Sequence, residues 1–474
     1  MVEIIANRIL SLKSQVLIGI SIVLILGFTQ SMVPLWLTVS VATAILCSVL
    51  ILRNGYWGLI LFIVLNAIVT FKSDEENAFN ALYIIAGVCI TIIFLFYLIR
   101  DRLLEKNELF SHWSQYFFSA YFIWTLVVGI GGIFFWNNKP VNWYREFLLQ
   151  APLLFTPILI DRYISTNEKK LKALGWLILS IWGGFIVVNL VQYQTKIASA
   201  VFLYETGRSQ IDIGIPSLLL FIFVALSSIE TNKLLRRLYF VGVLFSMIPI
   251  VISLYRTIWL TDICLLLILP FMLKGVERKR SFKFLISFAA TMGMLVTFAS
   301  LFFPFIRLLF LSYFNRFLYS SKITVDPSLV NRYIEWRIIW EYIRANIIVG
   351  YGYGAEYLDY IWITGTHIWF GYSHNSILFL LFKSGIIGFI FLATAYIGIS
   401  WKAWKLSKNT QLPDRDRALL VGCICYLIAL LFYGQTVNTL GQRDQLLWAS
   451  VCFGYILIIE RKTRVILSKK TFHK

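Results

Sequence analysis

The chain has 474 residues, of which 59% are hydrophobic, and its formal net charge is +19. Runs of about 20 apolar residues recur along the sequence, and each is long enough to cross a hydrocarbon core of about 30 Å. The runs are continuous and do not alternate with polar residues, which excludes a membrane β-barrel. The composition therefore predicts an all-α fold, a polytopic integral membrane bundle of helices.

The apolar runs predict about fourteen spans, or twelve if short neighbouring runs merge. The first run lacks a small-residue cleavage site and leads directly into further spans, so we expect it to be retained. The predicted spans lie near residues 15–30, 33–52, 56–71, 79–99, 114–135, 147–161, 173–193, 213–230, 237–254, 256–273, 284–311, 375–401, 417–434 and 445–460.

The basic residues of the connectors fall on one side of the membrane if the N-terminus lies inside. By the positive-inside rule that side is the cytoplasm, and both termini lie there. The net charge is then mainly a topology signal, and we expect no nucleic-acid partner. The basic clusters lie at residues 100–106, 162–172, 233–237, 274–283, 402–417 and 461–470.

The longest connector, residues 312–374, falls on the extracytoplasmic side. A helix is predicted from Asp326–Pro327 onward, and the glycines of the sequence GYGYG that follows allow the backbone to turn. A helix rich in Trp and Arg suits a membrane–water interface; the alternative is a helix packed on other extramembrane residues with its charges solvated. The predicted apolar face consists of Leu329, Tyr333, Trp336, Trp340, Ile343 and Ile347, with Arg332, Glu335, Arg337, Glu341 and Arg344 on the other faces.

This connector divides the chain into three predicted parts. Residues 1–311 hold transmembrane helices 1–11, and residues 312–374 form the large extracytoplasmic loop. Residues 375–474 hold the last three helices and a cytoplasmic tail.

Two histidines of the connector, His367 and His374, are candidates for acid–base chemistry. His374 and Asn375 immediately precede a span, at the outer mouth of the bundle. Because an imidazole ordinarily titrates near neutrality, His374 could act as general base on an acceptor hydroxyl. The alternative is an interfacial histidine whose neighbour Asn375 caps the next helix.

Two arginines lie at outer helix starts, Arg208 in YETGRSQIDIGIPS and Arg256 in SLYRTIWL. An arginine in or near the membrane is costly and usually has an anionic partner. Its planar guanidinium suits phosphate oxygens, so a lipid diphosphate is a natural ligand. For Arg256 the alternatives are snorkelling to the outer interface and an ion pair with Asp262.

Other chemistry finds no support in the sequence. There is no phosphate-binding G-x-x-x-x-G-K-[ST] motif, and the outer loops lack a D-x-D pair for a metal-bound nucleotide sugar. The six cysteines all fall in predicted spans. We therefore expect no metal site, no cofactor and no disulfide framework.

Several ordered motifs resemble the O-antigen ligase and O-antigen polymerase superfamily. They are Arg332-x-x-x-Trp336, the glycine run 350–354, His374-Asn375, and Gly-Ile-Ile-Gly at 385–388, with SLYRTIWL similar to the arginine segment of the family. Two positions depart from the family pattern, since Lys383 lies near its usual acidic residue and Ile348-Val349 replace its proline.

The resemblance implies a metal-independent glycosyltransferase of GT-C-like fold in the bacterial inner membrane. Its donor would be an undecaprenyl-diphosphate-linked glycan, and its site would face the extracytoplasmic side. Membrane lipids, a chain-length regulator and a flippase are the other partners implied. The catalytic residues would be His374, Arg256 and Arg208, and the substrate-binding residues Arg332, Arg337, Trp336, Asn375 and His367.

The acceptor decides between two readings of this activity. A polymerase passes the glycan to another lipid-linked repeat unit, whereas a ligase passes it to lipid A-core. The number of spans favours the polymerase of surface polysaccharide. A lipid-linked oligosaccharide flippase is the alternative of another class, but a transporter would place charged residues near mid-membrane rather than at the outer face.

The predicted topology can be tested with reporter fusions. A reporter joined after Gly371 should lie outside the cytoplasm and one joined after Lys279 inside it, because the basic connectors are retained in the cytoplasm. Alkaline phosphatase and green fluorescent protein activities report the two sides. Both fusions reporting the same side would contradict the placement of His374.

Overall fold

The computed structural model describes residues 55–70, 110, 112–164, 167–199, 213–253, 255–302, 307, 311, 327–361 and 364–471. The chain divides into two compact units, residues 1–107 and 108–474. In the first unit the described part is the helix α1 (Gly55–Thr70). The remaining elements belong to the second unit.

The described part of the second unit is almost entirely helical. Before the long connector come α2 (Trp113–Phe135), α3 (Pro140–Ile164), α4 (Glu168–Ser199), α5 (Gly214–Ile229), α6 (Lys233–Ile252), α7 (Arg256–Met272) and α8 (Gly275–Phe302). The connector contains α9 (Pro327–Ala345) and an antiparallel hairpin of β1 (Tyr357–Ile361) and β2 (Thr366–Phe370). After it come α10 (Ser376–Ser407), α11 (Asp414–Tyr433), a 3₁₀ turn (Thr439–Gly441) and α12 (Arg443–Thr471).

Seven helices in the described residues are long and apolar enough to cross a membrane, namely α2, α3, α4, α6, α8, α10 and α11. The shorter apolar helix α5 is buried over nearly its whole length and packs against α6 and α11. The chain is thus a polytopic helical membrane protein, as its composition predicts. The predicted spans at 15–30, 33–52 and 79–99 lie outside the described residues, so the total of twelve to fourteen stays a prediction.

Contacts between helices join distant parts of the chain. α3 packs along α12, and α2 packs along α10. A Cβ atom at Gly454 of α12 would lie 2.7 Å from the Cβ of Ile160 on α3, so only glycine permits this approach of the two helices. Hydrogen bonds also join the first part of α3, the first part of α10 and the segment of the glycine run. These three segments therefore lie at the same end of the bundle.

The face of α9 that is buried in the protein adjoins the predicted apolar face. Glu335, Ile339 and Ile343, spaced four residues apart, are at most 3% exposed, whereas Tyr333 is 65% and Trp340 37% exposed. The face that carries Tyr333 and Trp340 is therefore not the one that packs inside the protein, and Ile343 lies where the two faces meet. Tyr and Trp occupy the outward side, which is their common position where a membrane protein meets the polar–apolar boundary.

Helix α10 is broken at Gly385, whose φ of 63° is non-helical. The segment that follows α9 lies against the break and pairs with its backbone. Tyr351 N–H donates to the carbonyl of Phe382, and Gly352 N–H to that of Lys383, both at 2.8 Å. After the break, Ile386 N–H donates to the Ile347 carbonyl at 2.8 Å. Before it, the Trp124 indole N–H donates to the Ser384 carbonyl, also at 2.8 Å.

These bonds replace those that the break removes from the helix. A backbone group without a partner in a membrane costs several kcal/mol, so an interrupted span persists only where other protein groups bond to it. The loop at residues 347–352 supplies most of these partners. It acts as a part of the α10 span rather than as a free connector.

Glycine is required at two points of this pairing. Gly350 has a φ of 77°, and a Cβ there would lie 2.8 Å from the Ser384 nitrogen. A Cβ at Gly385 would collide with the carbonyl of Ile348. Both positions therefore combine a left-handed backbone with a close approach of two chain segments.

Substitution of Gly385 by Ala should destabilise the protein. The left-handed backbone alone costs a non-glycine residue about 1–3 kcal/mol, and the collision with Ile348 adds to this. Gly183→Ala is the matched control, because Gly183 lies in the apolar helix α4 and a Cβ there meets nothing within 4 Å. Thermal unfolding of both variants in detergent measures the difference, and equal midpoints would contradict the importance of the break.

Candidate functional site

The candidate site lies where the segment 371–376 enters α10. Asn375 caps this helix, because its side-chain oxygen accepts the N–H groups of Ile377 at 2.9 Å and Leu378 at 3.1 Å. The capping role considered for Asn375 is therefore present. It does not account for His374, whose ring has a partner of its own.

That partner is Glu335 of α9. One carboxylate oxygen accepts the backbone N–H of His374 at 2.7 Å, and the other lies 2.5 Å from the ring Nδ1. The carboxylate is 4% exposed and the histidine side chain 40% exposed. Glu335 thus holds His374 from within the protein, while part of the histidine side chain stays exposed.

Three further side chains surround this pair. The Tyr372 ring lies 5.5 Å from the His374 ring in an edge-to-face arrangement, and the Tyr357 hydroxyl donates to the Tyr372 carbonyl at 2.8 Å. Burial raises the pKa of Tyr372 to about 12. Burial also raises the pKa of Asp359 on β1, and Glu335 raises it further, while the Tyr360 N–H and the nearby histidines lower it.

His367 lies on the hairpin opposite Tyr360, with the two rings 5.0 Å apart. Its side chain is exposed, in contrast to the anchored His374. The structure therefore distinguishes the two histidines by their surroundings: one is fixed by a buried carboxylate at a helix start, and the other stands on a hairpin.

The connector after α11 joins the start of α10 to the start of α7. Asn375 donates to the carbonyl of Gln435 at 3.4 Å, and the Thr436 hydroxyl donates to Thr257 at 2.7 Å. Ser376 N–H also donates to the Gly434 carbonyl at 2.7 Å. Arg256 is the neighbour of Thr257 and His374 that of Asn375, so both candidates adjoin consecutive residues of one connector.

The remaining arginine candidates are placed differently. Arg208 lies outside the described residues. On α9, Arg332 is half-buried and lies one turn before Glu335, whereas Arg337 is exposed. Trp336 is half-buried, and its indole N–H is shielded from solvent without a hydrogen-bond partner among the described residues.

Asp262, the ion-pair partner considered for Arg256, is hydrogen-bonded to two hydroxyl groups. Its carboxylate accepts hydrogen bonds from the hydroxyls of Tyr433 and Ser217. The residue is fully buried in α7. Asp262 therefore joins α7 to α11 and α5 through neutral hydroxyl donors.

Lys383 has a defined partner in this fold. Its ammonium group lies 2.7 Å from Glu146 of α3 and donates to the Ala355 carbonyl at 2.6 Å. Glu146 in turn accepts the N–H of Gly354 at 2.7 Å. The lysine, which departs from the acidic residue of the family pattern, thus ties α10, α3 and the glycine run together.

Sequence reasoning missed Glu335 and Glu146. The sequence contained a signal for Glu335, because its four-residue spacing from Ile339 and Ile343 places it on their side of α9. Nothing in the sequence pairs Glu146 with Lys383, since 237 positions separate them.

Loss of the Lys383 ammonium should destabilise the protein. Removing one partner of a buried ion pair costs about 3–5 kcal/mol, and the partial exposure of Glu146 favours the lower end. Lys383→Met should lower the unfolding temperature in detergent, and Lys383→Met/Glu146→Gln should regain much of the loss. Lys139→Met, which removes an exposed partner of Glu356, is the control. Additive losses in the double variant would contradict the pairing.

Comparison with known families agrees with the motifs. Residues 238–393 match the O-antigen ligase family model, a range that runs from α6 into α10 and includes Arg256, Glu335 and His374. None of the curated proteins is detectably similar to the chain. The ordered motifs lie inside the matched range, so the region 238–393 of this membrane protein is similar to the O-antigen ligase family.

Proposed function

We propose that the protein is a glycosyltransferase that moves glycan from undecaprenyl diphosphate to an acceptor hydroxyl at the outer face of the bacterial inner membrane. The observation that carries the proposal is the common connector. It bonds the neighbour of His374 through Gln435 and the neighbour of Arg256 through Thr436. A candidate base and a candidate diphosphate-binding arginine thus adjoin the same segment, and both residues lie inside the region that matches the family.

The proposed reaction requires a base for the acceptor hydroxyl and positive charge beside the departing diphosphate. His374 takes the proton of the acceptor hydroxyl as its oxygen attacks the anomeric carbon of the donor. The bond from that carbon to the diphosphate breaks, and undecaprenyl diphosphate leaves with the bonding electrons. Arg256 and Arg208 stabilise the negative charge that develops on the leaving group.

The substrate-binding roles follow from placement on α9 and around the α10 start. Arg332 and Arg337 supply positive charge for the donor, and the half-buried Trp336 lies between them in the sequence of α9. His367 on the hairpin, and Asn375 beside the base, complete the proposed set. The distribution of basic connectors supports an extracytoplasmic site with both termini in the cytoplasm.

We favour a polymerase of surface polysaccharide, because about fourteen predicted spans resemble that branch of the superfamily. A ligase that transfers the chain to lipid A-core is the second candidate, and the description of the matching family favours it. Purified protein incubated with lipid-linked repeat units, with and without lipid A-core, separates the two. Longer lipid-linked chains identify a polymerase, and products on lipid A-core identify a ligase.

The substitution His374→Ala should nearly abolish transfer in this assay. A general base contributes about a hundred- to ten-thousand-fold in rate, whereas the arginines that bind the donor remain. Single-turnover transfer at saturating donor measures the loss, with donor binding measured separately and expected to be retained. His367→Ala should lose less activity, because its ring is exposed on the hairpin.

Folding is checked by a monodisperse size-exclusion profile of each variant. The residual pH–rate profile of His374→Ala should also lose its acidic limb. Transfer by His374→Ala within a few-fold of wild type would refute the role of His374 as base.

A further inference from the structure

The hydrogen bonds of Glu335 fix more than the position of the histidine. An ionised carboxylate offers acceptors only, and here its two oxygens face two nitrogen donors of one residue. The backbone N–H of His374 donates to one oxygen, and the other oxygen lies against the ring Nδ1. For a hydrogen bond to form there, the proton of the neutral imidazole must reside on Nδ1.

This proton location determines which ring nitrogen can act. With Nδ1 protonated, the lone pair of a neutral imidazole is on Nε2. Glu335 is 4% exposed and lies inside the protein, whereas 40% of the His374 side chain is exposed. The lone pair therefore lies on Nε2, the ring nitrogen that is not hydrogen-bonded to the buried carboxylate.

We propose that Glu335 is the positioning residue of the transfer site, holding His374 in the tautomer and orientation in which Nε2 accepts the acceptor's proton. This inference rests on the proposed function. When Nε2 takes the proton, the imidazole becomes a cation beside the carboxylate, which stabilises it without itself being protonated. Glu335 acts on the reaction through His374 and touches no substrate.

Other titratable groups face the pair. Asp359 and His367 come from the hairpin, Tyr357 and Tyr372 from β1 and the segment before α10, and Tyr255 from the start of α7. Arg332 lies one turn earlier on α9. Of these groups, Asp359 is the second carboxyl close to Glu335, and burial raises its pKa. Both oxygens of Glu335 bond to His374, and the Tyr357 hydroxyl also lies within hydrogen-bonding reach of this carboxylate.

The nearly isosteric substitution Glu335→Gln provides a sharp test. A glutamine amide has one acceptor oxygen and one donor NH₂ group, so it cannot accept from both the backbone N–H and the ring. Either the backbone bond is lost, or the NH₂ group faces Nδ1 and stabilises the opposite tautomer, in which Nε2 carries the proton. Both outcomes impair the base without removing it.

We expect Glu335→Gln to slow single-turnover transfer of the lipid-linked repeat unit by roughly tenfold to a thousandfold, within the range of a general base. The acidic limb of the pH–rate profile of Glu335→Gln should move to lower pH, because this variant lacks the anion that stabilises the imidazolium. Glu341→Gln on the exposed side of α9 is the control and should behave as wild type. The double variant Glu335→Gln/His374→Ala should be no slower than His374→Ala.

Several results would overturn the inference. They are equal rates for Glu335→Gln and Glu341→Gln, an unmoved acidic limb, or a double variant slowed by the full product of the two single losses. Should Glu335→Gln yield no folded protein, Glu335→Asp carries the test, since it keeps both acceptor oxygens but is one methylene short. The transfer rate of Glu335→Asp should fall several-fold, while the acidic limb of its pH–rate profile should stay at the wild-type pH. A rate equal to wild type would refute the positioning role of Glu335.

The two proposals fail in distinguishable ways. Transfer by His374→Ala near the wild-type rate refutes the proposed function of the site. Loss of transfer in His374→Ala together with a wild-type Glu335→Gln refutes only the role of Glu335.

Discussion

The backbone pairing between the loop after α9 and the break in α10 is the constraint on which the site depends. The N–H groups of Tyr351 and Gly352 complete carbonyls that the break at Gly385 would otherwise leave unbonded. The same pairing fixes where α9 ends relative to where α10 begins. Since Glu335 is on α9 and His374 is at the start of α10, their contact follows from this backbone arrangement.

Two buried charges reinforce the arrangement from opposite ends of the first part of α10. At its start, Glu335 bonds to His374; near the break, Lys383 bonds to Glu146 and to the Ala355 carbonyl. A charge placed in a low-dielectric interior is tolerated where it is paired and hydrogen-bonded, and both charges meet that condition. The first pair leaves part of the histidine exposed for chemistry, whereas the second encloses the lysine entirely.

Much of the fold was predictable from the sequence, because the length of an apolar run is a local signal that needs no knowledge of partners. The described helices α2 to α8 and α10 to α12 overlap predicted spans. The turn at the glycine run was also predictable, because glycine allows the backbone to turn. Gly350, Gly352 and Gly354 all have positive φ in the structure. The break at Gly385 was not, because the groups that compensate for it come from another segment.

In the candidate site, too, the features with a local sequence signal were predictable and those that depend on a distant segment were not. His374 could be singled out from its motif and its place before a span, whereas the sequence predicts its anchor Glu335 only as one of the charged residues on the other faces of α9. Charged residues on an amphipathic helix usually face solvent, and this one is buried because a histidine from another segment meets it. The roles of His374, Arg256 and Arg208 remain proposals, and Arg208 lies outside the described residues.

The pairing of Lys383 with Glu146 has a consequence for biogenesis. A ribosome delivers α3 long before α10, since 237 residues separate the two side chains. When the α10 segment enters the bilayer, an anion for its lysine is already in place, and so is the indole of Trp124, which bonds the Ser384 carbonyl. The order of synthesis therefore spares this span from crossing the membrane with an unpaired cation, whose cost in lipid is several kcal/mol.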